Sequence, residues 1–353
     1  RHRFILEELV SCGAPESILT DAKPHVGTDM LHVTLVNLRR QLLSLGAQVR
    51  FGHRVTGLRV RDGALEGLEV TGPEGPYVLP ARHAVLALGH SARDTFEMLH
   101  AAGVQMEQKS FAVGVRIEHR QSDMDAAQYR RFAGPPCLPA ASYKLSCHLE
   151  NGRSAFSFCV CPGGQVVAAA SEQGRVVTNG MSAYARDREN INGGLLVGVS
   201  PRDFGSDHPL AGMYLQRRIE QAAFRCAGGG FRAPCQRVGD FLSGRASVTL
   251  GGVEPTYLPG VTPGDLRAFL PDFITDNLRL ALPRLGQRLK GFDHPDALLT
   301  GPETRSSAPV RILRNPRRQS AFAGLYPLGE GAGYAGGIVS AAVDGLCAGM
   351  DID

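Results

Sequence analysis

The 353-residue sequence predicts an α/β fold that carries an inserted α+β stretch. Three observations support that class. The chain opens with a leucine-periodic helix followed by strand-like runs, its middle changes to short strands rich in Gly and Pro, and its end returns to strand, glycine turn and small-residue helix. This order places residues 1–110 and 309–353 in one domain, and residues 111–308 in an inserted mixed α/β domain.

The first helix follows Gly27-Thr28-Asp29, with Thr28 as the expected N-cap. Leu31, Leu35, Leu38, Leu42 and Leu45 recur at helical spacing, which predicts one buried face ended by Gly46. Three strand-like runs come next: "AQVRFGHRVTGLRV", "ALEGLEVTG" and "YVLPARHAVLALG". Asp62-Gly63 reads as a hairpin turn between the first two, and Gly72-Pro73-Glu74-Gly75-Pro76 as a looser connection. The third run leads through Gly89 into a helix, "RDTFEML", with Ser91 or Ala92 near its start.

Composition narrows the classes of function. Hydrophobic residues make up 43% and charged residues 20%, as in an ordinary core-forming protein. The net charge of +4 is scattered apart from a short run at Arg314 to Arg318, read as a solvated loop, so there is no strong nucleic-acid signal. No apolar run is long enough to span a membrane. Eight cysteines without C-x-x-C spacing suit reduced thiols in a cytoplasm, and Cys159 and Cys161 read as core residues. Among 11 histidines none forms a metal-binding pair, so no metal is expected. The G-x-S-x-G signature of a hydrolase is also missing.

Gly331-Ala332-Gly333-Tyr334-Ala335-Gly336 has the G-x-G-x-x-G spacing of a dinucleotide-binding turn. Such a turn opens a unit of about 30 residues, with an acid about 20 positions further on. Only 17 residues follow Gly336, so this turn closes a fold. Gly331, Gly333, Gly336 and Gly337 leave room for a ligand near the backbone, and a helix starting near Gly337 offers its free N–H groups to an anion. The alternative is a small-residue helix packed tightly on a sheet.

Taken with the strand that ends in Ala87-Leu88-Gly89, this segment resembles FAD-dependent oxidoreductases of the glutathione-reductase-like fold. More narrowly, the chain is similar to a group of uncharacterised bacterial FAD-dependent dehydrogenases. The stretches "AKPHVGTDML", "CVCPGGQVVAAASEQGRVVTNGMSAYARD", "GPETRSSAPVRILR" and "YPLGEGAGYAGGIVSAAVDG" carry the resemblance. It implies an FAD/NAD(P)-binding Rossmann-like domain, incomplete at its N-terminus because the family's first strand, glycine turn and helix would precede Arg1.

The resemblance also implies site residues. Glu330 would bind ribityl hydroxyls, with the backbone from Gly329 through Gly331 and Gly333 to Gly337 bordering the ribityl and Ile338 opening the helix toward the flavin. Val55 would lie at the adenine, and Ala87, Leu88 and Gly89 beside the phosphates.

Catalytic candidates come from two polar clusters. Lys23 and His25 lie on a loop entering the first helix, where they contact substrate or cofactor or serve structure alone. Glu303 and Arg305 lie between a Gly-Pro turn and a strand, where Arg305 either clamps a carboxylate or forms an Arg–Glu pair at a domain junction. The expected function is hydride transfer between a small organic substrate and flavin N5, with NAD(P)H a candidate electron donor. The alternatives are a non-catalytic flavoprotein-fold binding or sensing protein, or an inactive fragment of the enzyme.

Overall fold

Alternating apolar and polar residues over Arg54–Arg61, Ala64–Gly72 and Gly75–Pro80 form a three-stranded antiparallel meander. The computed structural model describes residues 1–134 and 137–352. At the first turn Asp62 (φ 50°) and Gly63 (φ 77°) both adopt left-handed backbone, the geometry that suits a two-residue hairpin. The second connection is tight, contrary to the looser one expected: Gly72 pairs with Gly75, leaving Pro73 and Glu74 as the loop.

The third strand-like run divides in two. Gly75–Pro80 completes the meander, whereas Ala84–Leu86 pairs in parallel with Leu325–Pro327 from the far end of the chain. Beside this pair, Met106–Gln108 pairs with Val310–Ile312. Leu86, Phe96, Leu99, Val104, Val310, Ile312 and Leu325 form one apolar cluster beneath these strands.

All eight strands of the main sheet lie between Phe111 and Glu303. Phe111–Arg120 and Asn190–Val199 form its antiparallel centre and are almost wholly buried. Ser154–Ala168 and Thr178–Ser182 continue it on one side, and Leu298–Glu303 and Ala233–Arg237 on the other. Helices Ala211–Cys226 and Asp272–Arg288 contribute Leu215, Ile219, Leu278 and Leu285 to its core. The first of these also feeds Met213 into the cluster under the parallel pair, which ties the two regions together. The architecture is mixed α/β.

Four sequence expectations need correction. Helix Thr28–Ser44 forms, but its leucine stripe is not buried: Leu35, Leu42 and Leu45 are 56%, 51% and 78% exposed, and Thr34 is its one buried residue. The helix meets its neighbours along a different edge. Its N-cap is Gly27 (φ 83°), while Thr28 Oγ1 donates to the Ser182 carbonyl and Asp29 accepts from the Tyr184 N–H. The basic run is no solvated loop, since Arg314 and Arg318 both bind Asp344 on the last helix. Cys159 is exposed and Cys161 half-buried, because Cys159 (φ 39°) sits at an irregularity where the pairing with Asn190–Val199 shifts register.

Candidate functional site

The parallel strands Ala84–Leu86 and Leu325–Pro327 end side by side, and the chain beyond each end is glycine-containing. In open α/β sheets, ligands bind at the carboxyl ends of strands. Here the two segments touch directly: a Cβ on Gly331 would lie 2.4 Å from the Gly89 carbonyl oxygen. Gly329 (φ 70°) donates its N–H to Asp344 Oδ2 at 2.9 Å. Arg314 binds both carboxylate oxygens of Asp344 at 2.8 Å and the Pro327 carbonyl at 2.9 Å, and its guanidinium stacks 3.6 Å from the centre of the Tyr334 ring. Asp344 therefore locks the turn to the last helix, Ile338–Asp351.

That helix begins after an extended Gly337. The N–H groups of Gly336 and Gly337 both reach Ser340 Oγ, and Ala341 N–H to Gly337 O is the first intrahelical bond. The N–H groups of Ile338, Val339 and Ser340 have no acceptor within the helix, so they concentrate positive potential at its start.

Two cavities flank the helix start. The smaller, ≈ 350 Å³, is lined by Val85, Ala87, Gly89, Leu328, Gly329, Glu330, Gly337, Ile338, Ala341 and Gly345. The larger, ≈ 680 Å³, runs from Gly336, Gly337 and Ile338 across to His25, Thr28, Cys161, Met181, Ser182 and Arg186. A Cβ on Gly89, Gly336, Gly337 or Gly345 would meet nothing within 4 Å, so these glycines border open space. Gly331 and Gly333 do not: the former packs on Gly89, and a Cβ on the latter would lie 2.7 Å from the Val310 carbonyl oxygen.

The remaining candidates divide. Ala87, Gly89, Gly329, Glu330, Gly337 and Ile338 line the smaller cavity, and the Glu330 carboxylate has no hydrogen-bond partner among the described residues. Leu88 packs against the apolar cluster. Val55 lies on Arg54–Arg61 and lines neither cavity. Lys23 is exposed and also lines neither. His25 lines the larger cavity, with Nε2 3.1 Å from the Ala183 carbonyl and its ring stacked on Tyr184. Because a carbonyl only accepts, Nε2 carries the proton and Nδ1 is the free acceptor. Burial depresses the His25 pKa, and Arg186 adds to that effect, which favours the neutral ring.

Glu303 and Arg305 are buried in ion pairs. Glu303 binds Arg116, which also binds Asn192 and the Cys159 carbonyl and reaches Cys161 Sγ at 3.6 Å behind the wall of the larger cavity. Burial, partly opposed by Arg116, raises the Cys161 thiol, and desolvation of the Cys159 sulfur with the nearby Glu303 carboxylate raises that thiol to about 11, so both stay protonated at neutral pH. Arg305 binds Glu220 at 3.1 Å, along with Ser91 and Ser171. Glu220 is also gripped by Arg93 through two hydrogen bonds of 2.7 Å and by Thr304 Oγ1 at 2.6 Å. Burial works to raise the Glu220 pKa, but Arg93 and Arg305 outweigh it and hold the carboxyl below its usual value. The geometry contains the Arg–Glu pair of the two readings of Arg305.

Asp344, His90 and Arg186 escaped the sequence reading, and Ser340 reads there only as a small residue that keeps the last helix slim. His90 follows Gly89, binds Ser91 Oγ at 2.8 Å, and has its pKa lowered by burial against the pull of the Glu330 carboxylate. The sequence signal for Asp344 is an acid in the middle of a largely apolar, small-residue helix.

A family model described as FAD-dependent protein, C-terminal domain-like, matches residues 110–306, and the chain belongs to that family. Its cofactor is FAD. A relative from Clostridium beijerinckii (strain ATCC 51743 / NCIMB 8052), called an uncharacterized protein, is 47% identical over 348 residues. The match covers 98% of this chain and 64% of the relative, so the chain spans less than two thirds of that protein's length. Among solved structures, a mutant of E. coli quinol fumarate reductase FrdA aligns over 99% of this chain and 54% of its own, at 14% identity and a TM-score of 0.39. An oxidoreductase from Methanosarcina mazei aligns over 92% and 55%, at 11% identity and a TM-score of 0.35. Likenesses this distant carry no argument for this chain.

The residues present fit the cofactor. Open space beside Gly89, Gly336 and Gly337, a helix start with free N–H groups and an unpartnered Glu330 carboxylate all lie around connected strand ends.

Proposed function

We propose that this chain is the flavin-covering part of an FAD-dependent oxidoreductase of the glutathione-reductase-like group, acting on a small organic substrate. Bound FAD supplies the hydride acceptor or donor at its N5. The residues of this chain bind, orient and exclude water. Glu330 accepts hydrogen bonds from the hydroxyls of the cofactor chain. The N–H groups of Ile338, Val339 and Ser340 stabilise negative charge at the helix start by about 1 kcal/mol, up to ~2 when partly buried. In the larger cavity Leu6, Leu9, Ile18 and Leu31 keep the site apolar, and His25 offers Nδ1 as a proton acceptor.

The observation that carries this reading is the helix start set between two cavities and walled by glycines that face open space. The unpaired state of all eight cysteines suits a reducing cytoplasm.

The test is anaerobic titration of the purified, full-length protein with NADH, NADPH and a panel of alcohols, amines and acids, following flavin absorbance. Bleaching by an organic donor, with turnover on adding an acceptor, is the expected result. A flavin that no donor reduces would instead support a binding or sensing role.

A further inference from the structure

The larger cavity contains a charge that the fold does not need. Arg186 lines it, and no side chain among the described residues hydrogen-bonds or ion-pairs with its guanidinium, whose Nε is buried and unpartnered. No Asp or Glu lines the cavity. The buried arginines all differ: Arg93 and Arg305 share Glu220, and Arg116 has Glu303. The remaining guanidinium nitrogens of Arg186 are open to the cavity, where a carboxylate can pair with them in water-poor surroundings.

Arg186 is also held in place deliberately. Its φ of 53° lies in the left-handed region, its N–H binds the Ala183 carbonyl at 3.2 Å, and a Cβ on Gly163 would lie 1.8 Å from its carbonyl oxygen. Only glycine at 163 admits the Arg186 backbone there. Around it, Leu9, Ile18, Leu31, Val160 and Met181 form apolar walls, and the half-buried His25 contributes a second polar atom.

We infer that the substrate is an organic carboxylic acid with a mainly apolar body, its carboxylate paired with Arg186 and its body lodged between Leu9, Ile18, Leu31 and Met181. The cavity volume of ≈ 680 Å³ is within the range of small-molecule sites. A planar guanidinium meets a carboxylate with two parallel hydrogen bonds, which selects the acid over its neutral amide. This inference rests on the oxidoreductase reading for the word substrate, and on the cavity alone for the ligand's chemistry.

The probes are hexanoate and 3-phenylpropanoate, each compared with its amide by calorimetry on the full-length, FAD-loaded protein. The expected result is at least tenfold tighter binding of the acids in the wild type. Arg186→Gln should abolish that preference, weakening acid binding roughly ten- to a hundredfold while leaving amide binding and the FAD-to-protein ratio unchanged. Arg186→Lys, which keeps the charge, should restore part of it and guards against a folding defect. Equal binding of acids and amides by the wild type overturns the inference, as does an intact preference in Arg186→Gln. Loss of FAD from Arg186→Gln would also overturn it, by assigning the arginine to the cofactor. A wild type that holds no FAD would sink the oxidoreductase reading, and the same titration of that protein would still decide whether Arg186 selects acids.

Discussion

Gly331 lies so close to Gly89 that a single added methyl would come within 2.4 Å of the Gly89 carbonyl oxygen. The two strand ends that form the smaller cavity are joined there by backbone on backbone. Gly331→Ala should force them apart, lowering stability by roughly 1–3 kcal/mol. A thermal melt of the full-length protein checks this, and an unchanged Tm would show that the contact yields easily.

Gly337→Val should behave in the opposite way. The backbone there is extended and a Cβ meets nothing within 4 Å, so the melting temperature should barely change. The side chain instead enters the space at the helix start. The FAD-to-protein ratio after gel filtration should fall, and full retention would place the cofactor elsewhere.

These two glycines mark how far the sequence was readable. The strand, glycine turn and helix are local patterns, and the helix Thr28–Ser44 and the Asp62-Gly63 hairpin both form where their residues predict, though the cap and buried face of the helix differ. What Gly331, Gly333 and Gly337 each face is set by segments far away in the chain, which local spacing does not encode. For the same reason the leucines at 35, 42 and 45 gave the helix but not its buried side. Arg186 had no local signature, because its distinction is that no acid pairs with it among the described residues, a property only the folded chain possesses.

Glu220→Gln should destabilise strongly. Glu220 is 0% exposed and neutralises Arg93 and Arg305, so its loss would leave Arg305 buried without a carboxylate partner and Arg93 with Glu172 alone. A loss of about 3–5 kcal/mol in urea unfolding is expected, little changed between low and high salt because the pairs are shielded from solvent. A loss below about 1 kcal/mol would show that water reaches the cluster.

Asp344→Asn should loosen the glycine turn. Burial works to raise the Asp344 pKa, but hydrogen bonds from Arg314 and the Gly329 N–H outweigh it and hold the carboxyl below its ordinary value of 3.8. Stability from this group is therefore fully present above about pH 4 and is lost as pH falls further. The variant should cost about 2 kcal/mol at pH 7 and flatten the acid limb below pH 4. An unchanged limb would exclude Asp344 as its source.

His119 should dominate at milder acidity. Full burial lowers its pKa to about 4 against the pull of its 2.8 Å contact with the Phe292 carbonyl. The folded state favours the neutral ring, so stability is whole above about pH 6.5 and declines as the pH falls toward 4, by roughly 3 kcal/mol in total. Urea unfolding from pH 7 to pH 4.5 should show this slope, and His119→Gln should flatten it to the share left by His25 and His90, whose pKa values burial also lowers.

The cluster at Glu220 joins Arg93, just after the Gly89 turn, to Arg305, just after a strand of the main sheet. Swinging those two regions apart would part Glu220 from an arginine it neutralises, so a hinged, clamshell opening carries the cost of breaking a buried ion pair.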